Sequence, residues 1–195
     1  EYGFRYKDMF FSVGLSHHTN VLFRYPDDIL GIKDGNWQPD NDNPYGKTKD
    51  IDLSGLSMNM SSFLKFGVSV QKQFTRQLSL GIKASYLSGI FNVMTKNADI
   101  RLLTDESISS INAISDYRLY SSFPFHISKD ADGHIDDLEI PDNIRYKDFL
   151  FKNNHGFSLD LGIKYLITHK IYLSASLLDL GMMFWNDNTY EFHSK

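Results

Sequence analysis

The segment SKDADGHIDDLE, residues 128–139, holds the densest run of metal-ligating side chains in the chain. Aligned as a twelve-residue calcium loop, it puts Asp130, Asp132, Gly133, Ile135, Asp136 and Glu139 at positions 3, 5, 6, 8, 9 and 12. Such a loop wants carboxylates, a glycine turn, an apolar residue and a final glutamate at those places. Ser128 stands at the first position, however, and Pro124 and Pro141 in the flanks oppose the two helices of an EF-hand. The segment therefore reads first as a solvated acidic turn and second as a calcium site with Asp130, Asp132, Asp136 and Glu139 as ligands. His17 and His18 are adjacent, so on a strand they would face opposite sides and could not share one metal; they read as part of a turn. Serine, histidine and aspartate all occur, but no GxSxG elbow, HExxH helix or glycine-rich phosphate loop does, and no enzymatic activity is expected. Lys65, Lys83, Asp160 and Lys164 share one face of the strands described below. They would line a polar pathway or form an ion-pair network that fills an interior.

The elements that must carry these residues follow from composition and period. The chain has 195 residues, with 20 lysines and arginines against 24 aspartates and glutamates, 42% hydrophobics, 14% aromatics and no cysteine. That length suits one domain or a piece of a larger one, and the aromatic content is too high for disorder throughout. A formal charge of −4 offers no surplus of cations for phosphates, so nucleic acid is not an expected partner. Without cysteine there are no disulfides, thiolate zinc sites or cysteine nucleophiles. No run approaches the length of a transmembrane helix, but membrane barrels alternate apolar and polar residues, and a mean hydropathy of −0.32 is compatible with one. The chain opens EYGFRYKDMFF, which has no secretory leader, so any leader is expected to have been removed or to lie outside this sequence.

Period-2 alternation dominates. In residues 56–70, seven of the eight even positions are apolar, while six of the seven odd ones are polar or glycine. The same register recurs in Leu78, Leu80, Ile82, Ala84 and Tyr86, in Phe157, Leu159, Leu161, Ile163, Tyr165 and Ile167, and in Ile171, Leu173, Ala175 and Leu177. These stretches pair into two hairpins with turns at Thr75–Gln77 and Thr168–Lys170, whereas the connections near residues 26–50 and 103–150 are long and polar, the second a long loop region or an external hairpin. Short turns at one end and long loops at the other are the asymmetry of an outer-membrane barrel. The face opposite the apolar one is rich in serine and glycine, which suits an interior better than bulk solvent. Phe74, Tyr165 and Tyr172 flank the short turns, and Tyr86, Phe91, Phe157, Phe184 and Trp185 lie towards the far ends, as two aromatic girdles would.

Residues 10–25 read as a further hairpin turning at His17–Asn20, PDDILGI as one helical turn, and KDGNWQPDNDNPYGK as a loop. At Leu177 and Leu178 the apolar phase slips by one residue, which implies a β-bulge or a strand leaving the bilayer. The expected fold is all-β, an antiparallel transmembrane β-barrel or a portion of one with about eight strands.

Three blocks in order, DDILGIKDGN, GIKASYLSGIFNVMTKNADIRLLTD and NNHGFSLDLGIKYLITHKIYLSASLLDLGMMFW, resemble a Bacteroidota-type family of outer-membrane proteins of unknown function, grouped with fatty-acid-channel-like barrels. The resemblance covers most of residues 10–190. It implies a secretory leader, a barrel longer than this chain and no known enzymatic activity, and it transfers no functional residues. The expected function is a passive or gated conduit for small solutes in the bacterial outer membrane, with the lipid bilayer as partner and no cofactor apart from the candidate calcium. Two other readings stay open: a non-conducting barrel that scaffolds other envelope proteins in a secretion or surface complex, and a soluble or surface β-sandwich with a calcium loop.

Overall fold

The computed structural model describes residues 1–31, 37–38, 42, 47–105, 110–123, 125–131, 135–140 and 153–194. Its strands are β1 (Tyr2–Tyr6), β2 (Met9–Arg24), β3 (Trp37–Gln38), β4 (Lys47–Thr48), β5 (Ile51–Asp52), β6 (Ser57–Gln73), β7 (Leu78–Asp105), β8 (Ser110–Ser122), β9 (His126–Lys129), β10 (Ile135–Glu139), β11 (His155–Thr168), β12 (Ile171–Phe184) and β13 (Thr189–Ser194). One short helix, α1, spans Asp28–Gly31. The protein is all-β and its sheets are antiparallel, in agreement with the period-2 pattern.

The chain divides into two compact units. The first comprises Glu1–Thr19, Ser61–Phe91 and Pro124–Asp187. Its main sheet runs in the order β1-β2-β6-β7-β11-β12, and among the described residues no pairing joins β1 to β12. The expected hairpins at Thr75–Gln77 and Thr168–Lys170 are present as the β6–β7 and β11–β12 turns. Thr75 Oγ1 accepts from the Gln77 and Leu78 N–H groups at 3.2 and 3.0 Å, and Thr168 Oγ1 accepts from Lys170 N–H at 3.3 Å, so a hydroxyl pins each turn.

In this unit several alternating apolar positions are more exposed than polar ones. Leu80, Ile82, Leu161 and Ile163 are between 37% and 45% exposed, while Lys65, Ser85, Asn154 and Ser158 are only 5% to 6% exposed. Register explains the grouping. Leu161 lies opposite Ile82 and Leu177, and Ile163 opposite Leu80 and Ala175, so the apolar positions align across three strands on one side of the sheet. They do not meet in a closed core; with Val70 and Leu177 they line an open groove of about 730 Å³.

The second unit comprises Asn20–Met60, Asn92–Phe123 and Asn188–Lys195. Here the later half of β7 pairs with β8 from Asn92↔Ser122 to Asp105↔Ser110, and β8 pairs in turn with β13. Ile51 of β5 pairs with Leu102 and is buried. The helical turn expected in PDDILGI is α1, whose Asp28 carboxylate accepts from Lys49 Nζ at 2.5 Å and Asp52 N–H at 3.0 Å; the ammonium first, and then the amide, hold that carboxyl below the ordinary range.

One expectation is corrected. Residues 10–25 are not a hairpin: β2 continues unbroken through His17–Asn20. His17 bonds Ser62 Oγ at 2.7 Å and His18 stacks on Phe63 at 5.3 Å, so contacts on the neighbouring strand carry the chain through a polar stretch that looked like a turn. Past the alternating residues 78–86, β7 continues to Asp105, and the start of the 103–150 stretch is strand paired with β8. The rest of that stretch includes a β9–β10 hairpin.

Candidate functional site

The charged residues picked out by alternation gather on the polar side of the first unit. Lys83 and Asp160 lie directly opposite each other on β7 and β11. Lys65, one strand further along on β6, reaches Asp160 Oδ2 at 3.3 Å and also bonds Asp179 of β12. Asp179 was not foreseen. It sits where the apolar phase slips, and there the register jumps from Leu161↔Leu177 to Leu159↔Leu180, so Leu178 and Asp179 together oppose Asp160. This is the expected β-bulge. Asp179 adopts a left-handed backbone with φ 55°, and its N–H donates to Asp160 Oδ1 at 2.7 Å. The extra residue turns a carboxylate towards Lys65 while returning Leu180, Met182 and Phe184 to the apolar side.

A lysine this deeply buried is tolerated only when its charge is met, and two carboxylates meet it. Asp160 does most of this, because its side chain is 14% exposed whereas Asp179 is 67% exposed and screened by solvent. Gly67 makes room beside them: a Cβ at that position would strike Lys83 Cε and come within 3.0 Å of Ser85 Oγ. Ser85 and Ser158 face each other across β7 and β11, both buried, with hydroxyls that have no partner among the described residues. Towards the long-loop end of the same face, Trp185 lies over Gly89, where a Cβ would be 2.6 Å from the indole. Asn154 secures that level, since its carbonyl accepts from Gly89 N–H and its side-chain oxygen from Asn186 and Asp187 N–H, each at 2.9 Å.

Lys164 stands apart from the cluster. It is exposed near the short turns, with Nζ 4.5 Å from the centroid of Tyr172. That contact accounts for an aromatic on the polar face.

The calcium reading gains no assembled ligand set. Glu139 pairs with His126 at the open end of the β9–β10 hairpin, away from the turn that begins at Asp130. Asp136 lies at a register shift in β10 and Asp132 falls outside the described residues. Among the described residues, no group of three or more His, Cys, Asp or Glu side chains is placed to hold a metal. No helix among them is long and apolar enough to cross a membrane, which says nothing about crossing by strands.

Compared with known proteins, a family of unknown function, DUF5723, matches residues 1–195, and the chain belongs to that family. No curated protein and no solved structure matches it.

Proposed function

We propose that this member of the DUF5723 family is an outer-membrane β-barrel protein that forms a gated conduit for small solutes. One observation carries the reading: in the sheet from β1 to β12, Leu80, Ile82, Leu161, Ile163 and Leu173 are exposed while Lys65, Ser62, Ser85, Ser88 and Ser158 are buried. Full burial of one such apolar side chain is worth about 1.5–3 kcal/mol, and a water-soluble fold would not forgo that repeatedly along three neighbouring strands. Hydrocarbon solvates the same side chains at no such cost. With 17, 14 and 14 residues, β6, β11 and β12 exceed the roughly 9–11 that a tilted membrane strand needs. Closed barrels of this kind belong to the bacterial outer membrane. On this reading Lys65, Lys83, Asp160 and Asp179 line the interior, and the Lys65 links hold it shut at their level. The packing of Trp185 and Asn154 over Gly89 on the same face supports a second reading, a filled barrel that scaffolds partner proteins.

Envelope fractionation and planar-bilayer recording test the proposal. The expected outcome is extraction only by detergent, heat-modifiable electrophoretic mobility, and discrete conductance steps whose ion preference shifts towards cations on Lys83→Glu. Absence of conductance together with stable co-purifying proteins favours the scaffold. Full solubility without detergent defeats both barrel readings.

A further inference from the structure

Building on the barrel reading, we infer that the short-turn end of the first unit docks on anionic phospholipid headgroups, with a phosphate seat between the β6–β7 and β11–β12 turns. Charge is the first observation. Arg5, Lys7, Lys72, Arg76, Lys164 and Lys170 lie at or beside the β1–β2, β6–β7 and β11–β12 turns, with Asp8 as the single carboxylate among the described residues there, although the chain as a whole carries more acid than base. Asp8 offsets only Lys72, at 3.5 Å.

Hydrogen bonds hold these turns side by side. Gln73 N–H donates to Asp8 carbonyl at 3.3 Å, and Leu166 N–H donates to Gln77 carbonyl at 2.8 Å, so the three turns form one end of the sheet. Each turn also couples a cation to an aromatic ring: Lys7 lies 5.4 Å from the centroid of Tyr6, Lys72 5.4 Å from Phe74, and Lys164 4.5 Å from Tyr172. Next to them the exposed Phe74, Tyr165, Ile167 and Ile171 continue the apolar face. Cations and rings bordering an apolar band match the zone where acyl chains give way to phosphates. An acidic soluble partner would have no use for the apolar border.

The seat itself is a cleft of about 690 Å³ lined by Thr75, Arg76, Gln77, Thr168 and His169, among others. The Thr75 and Thr168 oxygens already accept backbone N–H groups, which leaves their hydroxyl protons to donate to a ligand in the cleft that Arg76 also lines. Arginine with hydroxyl donors suits a phosphodiester.

The test uses the full chain refolded in detergent and mixed with vesicles of phosphatidylcholine alone, or with about a third phosphatidylglycerol, with the inserted fraction read by heat-modifiable mobility. The wild type is expected to partition into anionic vesicles several-fold more strongly, at about fivefold per engaged cation, and to lose that preference at high salt. Arg76→Gln/Lys170→Gln should insert into neutral vesicles as the wild type does but lose about 25-fold of the anionic preference. Lys96→Glu on β7 should retain the preference. Equal partition of the wild type into both vesicles would overturn the inference and leave the barrel standing; insertion into neither would overturn both. Abolition of the preference by millimolar inorganic phosphate would transfer the cleft to a soluble anion and refute docking on a leaflet.

Discussion

Lys65 is the residue on which the polar face turns. Replacing it with alanine strips the Asp160 carboxylate of its bonded cation, leaving it the Asp179 N–H and the facing Lys83, and unfolding by denaturant in detergent micelles should show a loss of up to about 3–5 kcal/mol. Asp160→Asn should cost more than Asp179→Asn, because Asp179 is already largely solvated. Converting Lys65→Met, Asp160→Asn and Asp179→Asn together should recover most of the loss, since no charge then remains buried. Equal losses for the two single asparagine variants would contradict the assignment of Asp160 as the principal partner. Lys65 and Asp160 were legible in the sequence because strict alternation put them on one face. Asp179 was not, because its odd number grouped it with Leu173 and Leu177 on the apolar side until the bulge reversed it. The only trace was the phase slip, with a carboxylate sitting at it.

At the level of the strand, the physical question is what meets the leucines. Leu161 is about two-fifths exposed, and on a soluble protein an exposed leucine tolerates arginine within about 0.5 kcal/mol. Facing hydrocarbon, Leu161→Arg should instead destabilise by about 2–4 kcal/mol if it lies near the midplane, and Ser174→Arg on the opposite side of β12 should cost far less. Unfolding titrations in lipid bilayers separate the outcomes, and near-neutral Leu161→Arg would remove the hydrocarbon. The strands that alternation made readable, residues 56–70, 78–86, 157–167 and 171–177, are those whose apolar and polar residues separate onto two faces. In the second half of β7, NVMTKNADIRLLTD, strict alternation is confined to ADIRL, residues 98–102, and the full extent of the strand comes from pairing with β8, a long-range contact. The same holds for His17 and His18, whose place in β2 depends on Ser62 and Phe63.

For the molecule as a whole, the unpaired rims matter most. β12 is exposed along almost its entire length on both faces, and β1 along all of it. Water satisfies free edge amides, but hydrocarbon does not, so a membrane sheet must find partners for both rims. Deuterium exchange in bilayers should therefore be as slow at the β12 amides directed away from β11 as at those directed towards it; rapid exchange confined to the outer set would mean that this rim stays wet. Family membership covers the full sequence without supplying a reaction or a cargo, so direct tests of this kind carry the functional argument. Open rims also have an architectural consequence. The girth of a cylinder grows with the number of staves, so if the sheet closes as proposed, staves inserted between β12 and β1 would widen the bore while the Lys65 clasp, held wholly within four adjoining staves, passed unaltered from a narrow cylinder to a broad one.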